Sequence, residues 1–330
     1  MMNGLRSLFK KDVRLMIFGK FFLMSLGFLI VYTLYVNLGY VRFMDGAERY
    51  HVYLYDPAGT QKTVSPLVQK VSTREEIDQL LLDDANSVGI DASAGEPEFI
   101  LYRRTGDADR HRADYAFSLL QISADDRPEI VGSNTLEQKA RKEITCELLF
   151  FEIAAVGFLG IASVLFKEKG MGVIRVHAVL PIHKELFLVS KLAVFLLSDL
   201  IFAFFLTLLN VGAADTAAVL PALLLQTAIL SAVMALTGLV CAMVLKDFRQ
   251  FTLLYLLITV FAATPVFLSA NTAVKLTWIR FHPFYHIYMG LKNAYFGTPA
   301  ESPLYYVGCL AAIAVLFMGA RHVFHKEMGK

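Results

Sequence analysis

The sequence predicts an α-helical polytopic membrane protein of about six transmembrane helices, with an α/β extracytoplasmic domain inserted after the first. Three observations predict it. The chain of 330 residues is 56% hydrophobic and only 18% charged, with a mean hydropathy of +0.53, which is too apolar for a soluble domain of that length. Its apolar residues gather into six runs, each near the length of about 20 residues that spans a hydrocarbon core of about 30 Å. Between the first two runs, residues 41–147 are instead rich in Asp, Glu and Arg.

Residues 1–40 hold an interfacial helix and the first span. Leu5, Leu8, Phe9 and Val13 share one helical face and Arg6, Lys10, Lys11 and Arg14 the other, the pattern of a helix lying on the cytoplasmic leaflet. The first span is placed at Leu15 to Val36. Its apolar run is too long for a signal-peptide core and lacks a small-residue cleavage site, so it reads as retained. Residues 41–147 open with a strand at His51 to Tyr55, followed by a turn at Asp56-Pro57-Ala58-Gly59. A helix at Thr73 to Asp84 has Thr73 and Glu76 in capping-box register. Strands at Ser87 to Ala92 and Glu98 to Arg103 and a helix at Ala108 to Ile122 complete a compact unit.

The remaining chain, 148–330, carries five spans: Leu148 to Phe166, Leu186 to Leu209, Ala217 to Leu245, Phe251 to Ala270 and Pro303 to Val323. Basic residues orient them. Arg6, Lys10, Lys11 and Arg14 precede the first span, Lys167, Lys169, Arg175, Lys184 and Lys191 lie between the second and third, Lys246 and Arg249 join the fourth to the fifth, and Arg321, Lys326 and Lys330 follow the sixth. The turn from Asn210 to Thr216 has no Lys or Arg, so both termini are expected in the cytoplasm. Asn271 to Ser302 falls outside and holds a proline-initiated pattern at 283–296, with Phe284, Ile287 and Leu291 on one face, read as a re-entrant or interfacial helix.

The net charge is +2, and no basic arm suggests nucleic acid. Cys146, Cys241 and Cys309 have no metal or redox spacing. No phosphate-binding loop, nucleophile elbow, zinc motif or dinucleotide fingerprint occurs, so the chain is not expected to be an enzyme or to hold a cofactor. His282 with His286, and His322 with His325, lack a third ligand nearby, and no metal site is assigned. Asp199 falls mid-span, where a carboxylate costs about 2.5 to 3.5 kcal/mol on insertion. It is either a transport-pathway or proton-linked group, or a neutral acid hydrogen-bonded to a neighbouring helix. Glu152 and Lys20 are expected to snorkel from span ends. Thr264-Pro265 should kink the fifth span, as a pathway pivot or a static bend.

The stretch KEKGMGVIRVHAVLPIHKELFLVSK, residues 167–191, has an acidic-basic pair, a glycine, a proline nine residues on and a lysine ten residues after that: Glu168, Lys169, Gly172, Pro181 and Lys191. VYLYDPAG at Val52 to Gly59 and HPFYHIYMGLK at His282 to Lys292 frame the rest. In these motifs and in the order of its parts, the chain resembles the type-2 ABC transporter permeases of the branch with a large domain between the first two helices. The resemblance implies that 167–191 is a coupling loop docking on a separate ABC ATPase subunit, with Glu168, Lys169, Gly172, Arg175, His177, Pro181 and Lys191 as its coupling residues. It also implies a second permease subunit, ATP and Mg on the ATPase rather than on this chain, an exporter of unnamed substrate, and a bacterial plasma membrane. The rival reading is a receptor, sensor or assembly protein whose external domain binds a ligand or partner.

Overall fold

The computed structural model describes residues 2–40, 50–59, 67–84, 87–93, 97–101, 106–121, 136–174, 176, 185–270, 277–297 and 302–328. The chain divides into two compact units, Met1–Val41 with Leu136–Lys330, and Arg42–Thr135.

In the first unit, α1 (Met2–Phe18) is separated from α2 (Phe21–Leu34), which continues as a π-helical turn, Tyr35–Tyr40. The first span therefore starts at Phe21, not at Leu15. Lys20 adopts φ 59°, a left-handed conformation uncommon outside glycine. The Gly19 N–H still closes on the Leu15 carbonyl, and Met24 N–H begins the new helix on the Lys20 carbonyl. The second span also differs from expectation. It begins at Leu136 and runs without a break through α5 (Leu136–Phe151), a π turn (Glu152–Gly157) and α6 (Phe158–Gly170). Residues 136–147 look aqueous because they are charged, yet Ala140 and Ile144 are buried at i, i+4, and Ile144 packs on Val36 of the first span.

Four further helices complete the set: α7 (Glu185–Val211), α8 (Ala213–Val244), α9 (Phe248–Ala270) and α11 (Pro303–Met328), with the shorter α10 (Pro283–Phe296) before the last. Six helices are long and apolar enough to cross a membrane, and we describe the chain as a multi-pass membrane protein. The most apolar stretch of α8 is 72% buried, against 17% for α2 and 11% for α11. Thus α8 is the central helix, packed by α6, α7, α10 and α11, while α2 and α11 leave apolar faces for lipid.

The polar ends of these helices sort into two groups. At one end Lys169 Nζ donates to the Met243 and Leu245 carbonyls and meets Glu327 at 3.2 Å, and Arg321 meets Glu185 at 3.0 Å. At the other, Arg141 Nη1 donates to Asn37 Oδ1 and the Asn210 carbonyl, Lys142 faces Asp215 at 3.6 Å, and Lys292 meets Glu143 at 3.1 Å. The grouping matches the alternation of basic loops along the chain, and it places 136–147 in the helix bundle.

The second unit contains a four-stranded sheet of order β2-β1-β3-β4, made of β1 (Val52–Tyr55), β2 (Val68–Lys70), β3 (Val88–Asp91) and β4 (Glu98–Leu101). Strand β1 pairs in parallel with both β2 and β3, and β4 is antiparallel to β3. Helix α3 (Arg74–Asp83) and α4 (Gly106–Gln121) accompany it. Val52, Leu54, Val88 and Ile90 form the core with Ala116 and Leu119 of α4. The Thr73 hydroxyl accepts from Glu76 N–H, while Glu76 reaches back to Ser72 N–H rather than to Thr73 itself. Ser93, through its hydroxyl and its N–H, holds the Asp91 carboxyl below the usual carboxylate range.

Candidate functional site

The residues singled out by the loop motif come together at one end of the bundle, and they do so in its interior. Glu168 ends the second span and Lys191 begins the third, each 1% exposed. Lys191 Nζ lies 2.6 Å from Glu168 Oε2 and 3.0 Å from Asp12 Oδ1. The Ser190 hydroxyl donates to Asp12 Oδ2 at 2.6 Å, and Lys11 Nζ meets Glu168 Oε1 at 2.9 Å. Two cations and two anions from α1, α6 and α7 thus form one closed network. Phe187 supports it: its ring lies 4.6 Å from Lys191 Nζ and stacks at 5.0 Å on Phe324 of α11.

Helix periodicity explains why α1 delivers an acid here. Leu8, Asp12 and Met16 recur at i, i+4, i+8 and are 6%, 3% and 1% exposed. The apolar face of α1 that carries Leu8, Phe9 and Val13 packs against α7 and the bundle core. Asp12 is carried inside with it.

Magnitudes decide what such a network does. Unit charges about 4 Å apart attract by about 4 kcal/mol at an effective dielectric of about 20. Desolvation withdraws several kcal/mol per ion. Attraction and desolvation nearly cancel, so the network fixes which groups meet more than it adds stability. Removing one member is another matter, because the rest are then buried and unbalanced.

The other predicted residues fall as follows. Lys169 is tied to the end of α8 and to Glu327 of α11, as given above. Gly172 turns the chain after α6 with φ 70°, a conformation that glycine adopts without strain. Arg175, His177 and Pro181 lie outside the described residues. Asp199 is 7% exposed and accepts from the Ser231 hydroxyl of α8 at 2.5 Å, a partner that the sequence did not name.

Glu152 corrects the snorkelling expectation. Because the second helix starts at Leu136, Glu152 sits in the middle of it, at the π turn, 4% exposed and beside Tyr32 and Asp199. Glu168 and Lys191, expected at a coupling surface, are turned inward to each other. Thr264 bonds its hydroxyl to the Val260 carbonyl, and α9 runs on through Pro265 to Ala270.

Proline lacks the N–H that would reach Phe261, four residues earlier. The His282 ring lies 4.3 Å from the Phe261 ring and interacts with the Phe261 carbonyl. His282 Nδ1 accepts Phe284 N–H at the start of α10, so Nε2 carries the proton, and burial pushes this histidine below its ordinary value. His286 Nε2 bonds the Arg280 carbonyl. Among the described residues no three His, Cys, Asp or Glu side chains converge as metal ligands.

Asp12, Ser190 and Phe187 escaped the sequence reading. The only available signal was the i, i+4, i+8 register of Asp12 with Leu8 and Met16. No protein-family model, curated protein or solved structure matches the chain.

Proposed function

We propose that this chain is the membrane-spanning permease subunit of an ATP-driven ABC transporter, an exporter whose nucleotide chemistry resides in a separate ATPase subunit. The observation that carries the reading is the Lys191–Glu168 contact at 2.6 Å, with Asp12 at 3.0 Å. Glu168 and Lys191 bracket residues 169–190, which carry the connection from α6 to α7, and both are locked to each other and to α1. A push on that connection therefore reaches the feet of α1, α6 and α7 together rather than bending one helix. A coupling loop needs that property: motion of an attached engine must become motion of whole helices.

In this reading the network end faces the cytoplasm, both termini are cytoplasmic, and the sheet-containing unit is an inserted α/β domain on the outside of a bacterial plasma membrane. Two such subunits enclose a pathway, and closure of the ATPase pair switches access across the bilayer. Glu168 and Lys191 act as internal struts; Gly172, Arg175, His177 and Pro181 belong to the docking loop.

The test uses Val176, which is 55% exposed. A photo-crosslinking residue placed there in native membranes should capture a polypeptide that carries a phosphate-binding loop and hydrolyses ATP. A Val176→Cys variant should resist impermeant maleimide added to intact cells. Labelling from outside, or isolation in mild detergent with no ATPase crosslinked or bound, overturns the permease reading in favour of a receptor or assembly role.

A further inference from the structure

We propose that the notch between the foot of the first span and the end of the second binds one anionic phospholipid, with Lys20 and Lys167 on its phosphate. The inference does not rest on the permease reading; it needs only the membrane placement of the helices. The notch is a cavity of about 210 Å³ whose lining includes Lys20, Phe21, Met24, Leu159, Val164 and Lys167. That volume suits a headgroup rather than a whole lipid.

Its two lysines are exposed, and neither ammonium has an ion-pair partner among the described residues. Glu168 also lines the notch, but its two oxygens already face Lys11 and Lys191. The unneutralised charge at the mouth is therefore positive.

Depth points to a lipid. Lys20 stands immediately before the first span, and Lys167 lies in the last turn of the second, so both ammonium groups sit where a membrane helix meets the headgroups. The left-handed backbone at Lys20 breaks α1 from α2 and leaves the notch between them. Below the lysines the walls are apolar, and beside them Ile17, Phe18 and Leu23 are 58%, 80% and 64% exposed, a surface that acyl chains can cover. A shallower cavity on the adjoining face of α1 adds Lys10 and Arg14 and shares Leu15 with the notch, extending the positive field along the interface.

Phosphatidylglycerol is titrated into the full chain held in phosphatidylcholine nanodiscs, and binding is read by native mass spectrometry and by the shift in Tm. A single saturable adduct and a raised Tm are expected for the wild type. The Lys20→Gln, Lys167→Gln double variant should bind about 25-fold more weakly, at about fivefold per lysine. Lys292→Gln, at the opposite end, should match the wild type.

Lys20→Arg with Lys167→Arg should restore binding and checks that the Gln variant lost charge rather than fold. An unaltered affinity in a folded double Gln variant overturns the proposal. So does non-saturable uptake, or inorganic phosphate displacing the lipid at equal concentration, which would mark a simple anion site.

Discussion

At one end of the bundle Lys191, Asp12 and Glu168 are 1%, 3% and 1% exposed, whereas at the other the Lys292 and Glu143 side chains are 27% and 32% exposed and Arg141 is 21% exposed. Both ends use ions to tie helices that are distant in sequence. The dry end closes its charges on one another, with a serine and an aromatic ring filling the remaining space. The wet end is a ladder of separate contacts, Arg141 on Asn37 and Asn210, Lys142 on Asp215, and Lys292 on Glu143. Solvent can substitute for a lost partner of Lys292 or Arg141 and not for one of Lys191; the exceptions are Lys142, 5% exposed at the wet end, and the Arg321–Glu185 pair, 55% and 36% exposed at the rim of the dry one. The dry end therefore fixes the relative placement of α1, α6 and α7, and the wet end can adjust while the helices stay in place.

Lys191→Met removes the central cation of the dry end. It leaves Asp12 and Glu168 buried with only Lys11 to balance them, and breaking one partner of a buried pair costs about 3 to 5 kcal/mol. Unfolding followed in detergent should show that loss. Adding Asp12→Leu and Glu168→Leu should recover most of it, because apolar groups of similar volume need no counter-charge. A single-variant loss below about 1 kcal/mol, the exposed-pair range, would mean the dry end is wet.

Arg141→Ala tests the other side. It removes donors to Asn37 Oδ1 and the Asn210 carbonyl and the contact with Glu137 at 2.7 Å. Hydrogen bonds to charged groups contribute about 1.5 to 3 kcal/mol when buried. Partial exposure reduces that to about 1 to 2 kcal/mol. The same unfolding assay should rank Arg141→Ala below Lys191→Met; a reversed order would invert the roles assigned to the two ends.

Much of the architecture was legible because lipid imposes length and composition. All six membrane helices were marked by their apolar runs, and β1 and β3 by short apolar segments beside turn residues. The Thr73 cap was marked by a spacing that has one physical use. What stayed hidden was pairing across distance. Asp12 reads as a solvated charge on an amphipathic helix, and nothing near it in sequence names Lys191, 179 residues away. Ser231 is likewise 32 residues from Asp199. The start of the second helix was obscured because Leu136 to Glu147 is rich in charge, and the groups that receive those charges, Asn37, Asp215 and Lys292, lie far away in sequence. Strand β2 is only three residues long, with Gln69 and Lys70 exposed, too short for alternation to register. Burial of Glu152 followed from that misplaced helix start, since a residue four positions inside a span becomes a mid-span residue when the helix gains twelve residues at its beginning.

Salt separates the two ends. Lys292→Gln removes an exposed partner of Glu143, and such pairs contribute about 0 to 1 kcal/mol. At about 1 M salt the screening length falls to about 3 Å, comparable with the 3.1 Å contact itself. The difference between wild type and Lys292→Gln should therefore shrink toward zero from low to high salt. The difference for Lys191→Met should persist, because ions do not enter a site 1% exposed. If both differences collapsed together, water and salt would have access to Asp12 and Glu168, and the dry end could not act as a rigid strut.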